Sequence, residues 1–192
     1  MSQTHLPSAE QVRADTLRWL DPMVIGLNLC PFAKPVVAQN RLRLVVSEAK
    51  HLDAFLDDLD AEIERLKSTP PEELETTLLV HAGLFPDFFV FNDFLNVVDE
   101  VVEEHEMTDH IEVVAFHPGL VFEGAETDSP ENLPNRSPYP MLHLLRTASL
   151  ERASPDGDTS DIIERNRATV EALGVEGWHA RLAAPDDDGA TH

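Results

Sequence analysis

The sequence predicts an α/β fold, and three observations carry the prediction. Short apolar runs at residues 41–47, 76–80 and 111–116 have the length and the β-branched or aliphatic composition of strands. The longer segments between them repeat apolar residues at helical spacing. Leu52, Phe55, Leu56, Leu59, Ile63 and Leu66 form one such series, and Phe91, Phe94, Leu95, Val98, Val101 and Val102 the other. Third, strand–helix–strand–helix–strand is the order of a parallel sheet covered by helices with right-handed crossovers. The expectation is a parallel βαβαβ core sheet, in two or three layers, with an N-terminal helix and two C-terminal helices. The alternative is a ferredoxin-like α+β sandwich, with an antiparallel strand hidden at residues 120–123 or near Trp178.

In chain order, Ser8 and Gln11 bracket a capping box that opens a helix with apolar positions Val12, Trp19, Leu20 and Met23. Pro22 is expected to kink or end it. Residues 25–34 are apolar and interrupted by Gly26 and Pro31, which reads as a buried connector carrying Cys30. Pro70-Pro71 closes the helix after the first strand, Asp87 or Asn92 caps the next, and the third strand stops at His117-Pro118-Gly119. Residues 124–137 are too long for an ordinary connection and read as functional or mobile. Ser137 then reads as the cap of a helix with Pro138 at its first position. A polar spacer, SPDGDTS at 154–160, precedes a last helix at 161–173 ended by Gly174. Residues 1–174 form one expected domain, and 175–192 an acidic, disordered tail.

Composition narrows the partners. The chain has 192 residues, 14 Lys and Arg against 36 Asp and Glu, and a net charge of −22. Such a charge repels phosphate backbones and anionic lipid surfaces, so neither nucleic acid nor membrane is expected. Only three of the cations are lysines, which suits a strongly solvated surface in a salt-adapted protein and equally a high-GC codon bias. The single cysteine, Cys30, forms no internal disulfide, the N-terminus lacks an apolar leader, and no apolar run has bilayer-spanning length. The expected location is cytoplasmic.

The chemistry concentrates at the strand ends and in residues 116–146. In open α/β sheets ligands sit at the carboxyl ends of the strands. His81 and His117 end two strands there, and in a parallel sheet both point into one crevice. Their plain reading is a strand-end histidine bonded to a nearby carbonyl. On the helix expected from Pro138, Met141, Leu142, Leu144, Leu145 and Ala148 make a buried face, while Tyr139, His143 and Arg146 make a stripe on the other. Asn135, Arg136 and Ser137 adjoin its N-terminus, where a guanidinium, a hydroxyl and free backbone N–H groups would hold an anion. The plain reading of that stripe is a solvated face. Cys30, between Leu29 and Pro31-Phe32, reads as an inert buried thiol, as a nucleophile activated by a histidine, or as a metal thiolate with His81, His117 or His143. Glu126 and Asp128 could serve as bases or metal ligands, but acidic residues are too abundant here to carry weight.

The strings Gly26-Leu-Asn-Leu-Cys-Pro-Phe-Ala33, His117-Pro118 and Asn135-Arg-Ser-Pro-Tyr-Pro-Met-Leu-His-Leu-Leu-Arg146 together resemble the DUF1415 family of uncharacterised bacterial proteins. The likeness runs from the first helix to Leu150. It implies a bacterial cytoplasmic protein of similar fold and transfers no mechanism. Leu120 stands where family members often carry an aromatic residue, so no role for a ring is carried over to that position.

The reading that unites these residues is a small enzyme acting on an anionic small molecule. Arg136, Ser137 and Arg146 would bind it, with Asn135, Tyr139, His143 and His81 around them. His117 would be the acid/base, and Cys30 the nucleophile or a thiolate ligand. The alternatives are a non-catalytic or regulatory domain binding an anionic metabolite, and a metal-binding protein using Cys30 and the histidines. The sequence specifies no cofactor.

Overall fold

The structure, a computed structural model, describes residues 6–153 and 160–183. Helix α1 (Ala9–Trp19) starts as its capping box predicts, with the Ser8 hydroxyl accepting the Gln11 N–H at 3.2 Å. Pro22 does not end it. The helix widens into a π-helical turn over Leu20–Ile25, where the Gly26 N–H reaches back five residues to the Asp21 carbonyl at 2.8 Å. A proline removes one donor from the ladder, and the wider π pitch absorbs the gap. A Cβ on Gly26 would lie 2.5 Å from the Pro22 oxygen and 2.7 Å from the Arg181 guanidinium, so glycine is what lets Arg181 donate to that oxygen. The chain then turns through Cys30 into a short helix, α2 (Ala33–Ala38).

The expected strands and crossover helices follow: β1 (Leu42–Val46), α3 (Leu52–Ser68), β2 (Thr76–Val80), α4 (Phe88–Glu104) and β3 (Ile111–Phe116). Asp87 caps α4, its carboxylate accepting the Phe89 and Val90 N–H groups. Beyond β3 the prediction fails in one important respect. Residues 138–146 are not a helix, because Met141–Arg146 forms a strand, β4, after a 3-10 turn at Pro130–Asn135. Two features of the sequence account for it. Ser137 and Tyr139 each precede a proline, which drives both toward extended backbone. A strand buried on both faces also shows no alternation, so Met141-Leu-His-Leu-Leu-Arg imitates a helical apolar face.

The sheet is therefore mixed, in the order β1-β2-β4-β3. β1 pairs parallel with β2, and β4 lies antiparallel to both β2 and β3. The uninterrupted parallel sheet is not formed, because β4 separates the ends of β2 and β3. The antiparallel strand of the alternative reading exists, but at neither of the two places expected. One sheet face packs on α3 and α4 through Phe55, Leu59, Leu79, Phe91, Leu142 and Leu144. The other packs on α1 and the π-helical turn through Trp19, Met23, Leu44, Leu78, Val80 and Met141.

After β4 come α5 (Thr147–Ala153) and α6 (Ser160–Ala183). Gly174, at φ 67° and ψ 169°, is non-helical and divides α6 into two helical segments, so the first of them ends where the sequence predicts. Residues 175–183 of the expected tail are helical, and the reason is Trp178, which is buried in the second core. Most of the expected spacer, residues 154–159, and residues 184–192 of the tail lie outside the described residues.

Candidate functional site

Both strand-end histidines are fully engaged. His81 accepts the Gly83 and Leu84 N–H groups at Nδ1, both at 2.9 Å, which leaves Nε2–H to donate to the Ala49 carbonyl at 2.7 Å. His117 likewise accepts the Gly119 N–H at Nδ1, donates from Nε2 to the Phe85 carbonyl at 3.0 Å, and stacks on Phe91. Each imidazole ties a loop to the end of its strand. They also face different cavities, His81 with Ser47 and Leu84, His117 with Phe88 and Tyr139. The single crevice expected for both does not exist, because β4 is inserted between their strands.

The residues expected to hold an anion are dispersed by the same change. No helix begins at Pro138, so no free helix N–H groups face Arg136. Arg136 spends Nε on the Leu120 carbonyl at 3.0 Å and Nη2 on the Thr127 carbonyl, and so orders the long loop. The buried Asn132 assists by accepting the Phe122 N–H and donating to the Glu126 carbonyl. Ser137 donates to the Tyr139 carbonyl at 2.6 Å, and the Tyr139 hydroxyl donates to Asp15 at 2.7 Å. Burial first, and the Asp15 contact second, push the Tyr139 phenol up to about 12. Arg146 donates to the carbonyls of Leu66 and Thr69, each at 2.7 Å, and of Leu74 at 3.1 Å, closing the C-terminal end of α3. Arg136 and Ser137 do share one cavity of about 450 Å³, with Arg18 and His179, but Asp15 and Asp128 line it as well.

A different pair comes together. Cys30 and His143 line one cavity of about 400 Å³ between the second sheet face and the loop that carries Cys30. His143 sits mid-strand, opposite Leu78 on β2 and Val114 on β3. The π-helical turn supplies Leu20 and Val24 to the walls, α2 supplies Val36, and α5 supplies Ser149 and Leu150. Among the described residues neither lysine nor arginine lines it, and the one charged residue that does, Glu75, is taken up by Arg41 at 2.6 Å, by Arg152 at 2.9 Å and by the Ser149 hydroxyl. Thr76 donates to the Leu144 carbonyl and Asn135 to the Ala115 carbonyl.

His143 has no hydrogen-bond partner among the described residues, only a ring contact with Phe116 at 6.2 Å. Burial pushes its pKa down to about 4, so it is a neutral imidazole at pH 7, with one N–H and one lone pair. The Trp19 indole N–H is also unpartnered, but it is sealed away from the cavity surface. Burial pushes the Cys30 thiol up, opposed by backbone N–H groups of Phe32 and Ala33 and by the charge of Arg165. Thiol and imidazole are thus both neutral at rest. Among the described residues, no three His, Cys, Asp or Glu side chains come together as a metal-ligating set.

Reading β4 as a strand would have marked His143, since it is the one polar residue within the apolar run Met141–Leu145. Glu75 and Ser149 carried no such signal, because only the fold brings them together. No described helix is long and apolar enough to cross a membrane.

The family described as a protein of unknown function (DUF1415) matches residues 11–180. No curated protein and no solved structure matches the chain.

Proposed function

This chain belongs to the DUF1415 family of proteins of unknown function, and from the geometry of its own residues we propose that it binds a small, largely apolar molecule in the cavity between His143 and Cys30. The observation that carries the reading is the unbonded imidazole of His143 on the wall of an otherwise apolar cavity. His143 is half-buried and its ring nitrogens stay open to the cavity, so a bound molecule can pair with them, and such a hydrogen bond contributes on the order of 0.5–1.5 kcal/mol. The volume, about 400 Å³, falls within the usual range for small-molecule sites, and such sites combine apolar walls with very few polar groups.

Nile red, a neutral dye whose emission reports an apolar environment, tests the reading. Saturable one-to-one binding is expected, and Val114→Trp, which fills the cavity from β3, abolishes it. A linear, unsaturated response, or one that Val114→Trp leaves unchanged, contradicts it.

A second reading makes the same cavity catalytic, with Cys30 as nucleophile and His143 as its base. Their position on one cavity wall favours it. The neutral resting state of both groups favours binding instead, since a pre-formed thiolate needs a nearby cation or metal. The rate of Cys30 alkylation against pH separates the two: an apparent pKa below the free value of about 8.5 supports catalysis, and one above it supports binding. An anionic ligand at Arg136 and Ser137 has less support, because no helix N-terminus adjoins them and two carboxylates share their cavity.

A further inference from the structure

The cavity has a polar point, a body and a mouth, and together they restrict what can fill it. The polar point is His143. Of the other hydrogen-bonding side chains on the wall, Glu75 is taken up by Arg41 and Arg152, Thr76 donates to the Leu144 carbonyl and Asn135 to the Ala115 carbonyl. The body is aliphatic and aromatic, and among the described residues it offers no cation to a negatively charged ligand. The mouth is marked by three side chains that line the cavity and are nonetheless exposed, Val37 at 37%, Phe122 at 43% and Ile163 at 62%. Exposed apolar residues scattered singly need no explanation, but three that line one cavity carry its apolar wall to the surface.

We infer that the ligand is an uncharged molecule with one hydroxyl group at its inner end and an unbroken apolar chain running from His143 out to Val37, Phe122 and Ile163. The inference rests on the binding function proposed above and names its ligand class. A hydroxyl both donates and accepts, so it pairs with a neutral imidazole whichever ring nitrogen faces the cavity. A carboxylate only accepts, and it would enter without a counter-charge, at a large desolvation cost. A purely apolar molecule would fill the body but leave His143 unpaired.

The experiment compares 1-octanol with octanoate at pH 7.5, by competition against Nile red, on the wild-type chain and on His143→Leu. Leucine suits a buried central strand, and its introduction orphans no partner because His143 has none. A cooperative thermal transition with a midpoint no lower than that of the wild type confirms the folding of the variant. For the wild type, octanol is expected to bind at least about tenfold more tightly than octanoate, and His143→Leu to weaken octanol by about tenfold. Octanoate binding as tightly as octanol, or octanol indifferent to His143→Leu, overturns the inference. So does Nile red binding that octanol fails to displace, a result that leaves the cavity function standing. Loss of Nile red binding itself would overturn both.

Discussion

His143 on β4 and Cys30 on the loop before α2 face the same apolar cavity, and neither forms an ion pair there. The chain brings them together through the inserted antiparallel strand, since β4 places its central residue against Leu78 and Val114 on the face that the Cys30 loop covers.

The first prediction concerns pH. The folded-state pKa of His143 is depressed from 6.5 to about 4 by burial. Between those values the unfolded chain binds the proton and the folded chain does not, so stability falls as pH drops through that window. His143→Leu removes this contribution. Denaturant midpoints of the wild type and variant should diverge between pH 6.5 and 4, the variant losing less, and parallel curves would contradict the burial argued for the imidazole. At pH 7 the variant should be as stable as the wild type or more so, by up to about 2 kcal/mol, since it removes an unpaired polar group.

His105 should show the opposite sign. It bridges Asp60 at 2.8 Å and Glu64 at 2.9 Å, joining the end of α4 to α3, and its pKa is raised chiefly by the Asp60 hydrogen bond. The stabilisation is present in full below the unfolded value of 6.5 and is lost as pH rises through the folded value. His105→Gln should therefore cost most near pH 6 and progressively less toward pH 9. A cost independent of pH would mean that packing, not the charge, joins the helices.

Much of this fold was legible in the sequence because its elements are locally consistent. The apolar series from Phe55 to Leu66, the Ser8 and Asp87 caps and the three strand runs all appear where they were expected. What escaped notice depended on neighbours distant in the chain. Met141–Arg146 reads as helix until β2 and β3 flank it. Arg136 and Arg146 look like ligand-binding cations until the carbonyls they satisfy are placed beside them. His143 belonged to a predicted exposed stripe for the same reason, and the strand assignment moves it to the cavity wall.

Arg146 provides a stability test of that reassignment. Its guanidinium donates to three main-chain carbonyls at the end of α3 and the approach to β2. Arg146→Met should cost about 2–3 kcal/mol, as expected for losing charge-assisted bonds to partly buried acceptors. Arg146→Lys should recover little, because a single ammonium cannot reproduce the fork. A neutral Arg146→Met in urea unfolding would contradict the structural role.

Access to the cavity should depend on Arg152. α5 contributes Ser149 and Leu150 to the wall, yet no residue of α5 belongs to either core cluster. Its side-chain anchors there are the Ser149 and Arg152 contacts to Glu75, with Thr147 held at its start by Asp109. Arg152→Ala should raise the alkylation rate of Cys30 by a bulky thiol reagent several-fold, with less than about 1 kcal/mol of lost stability for a largely exposed side chain. An unchanged rate would show that the anchoring of α5 does not limit the passage of a bulky reagent to Cys30.

Salt tests the charge balance. With a net charge of −22, self-repulsion opposes the compact state and is screened as ionic strength rises. The thermal midpoint should climb between about 0.05 and 1 M NaCl, as the Debye length falls to about 3 Å. A flat or falling midpoint would show that local ion pairs such as Arg41–Glu75 outweigh the net repulsion.

The central claim is that an uncharged apolar molecule occupies the cavity and pairs with His143. Imidazole ¹H–¹⁵N resonances, followed while 1-octanol is titrated into the protein at pH 7, report on that contact directly. The His143 ring signals should shift with saturation at one equivalent, while those of His81 and His117, already bonded to Ala49 and Phe85, stay in place. A His143 signal that does not move, or one that moves in step with all the other histidines, would contradict the account.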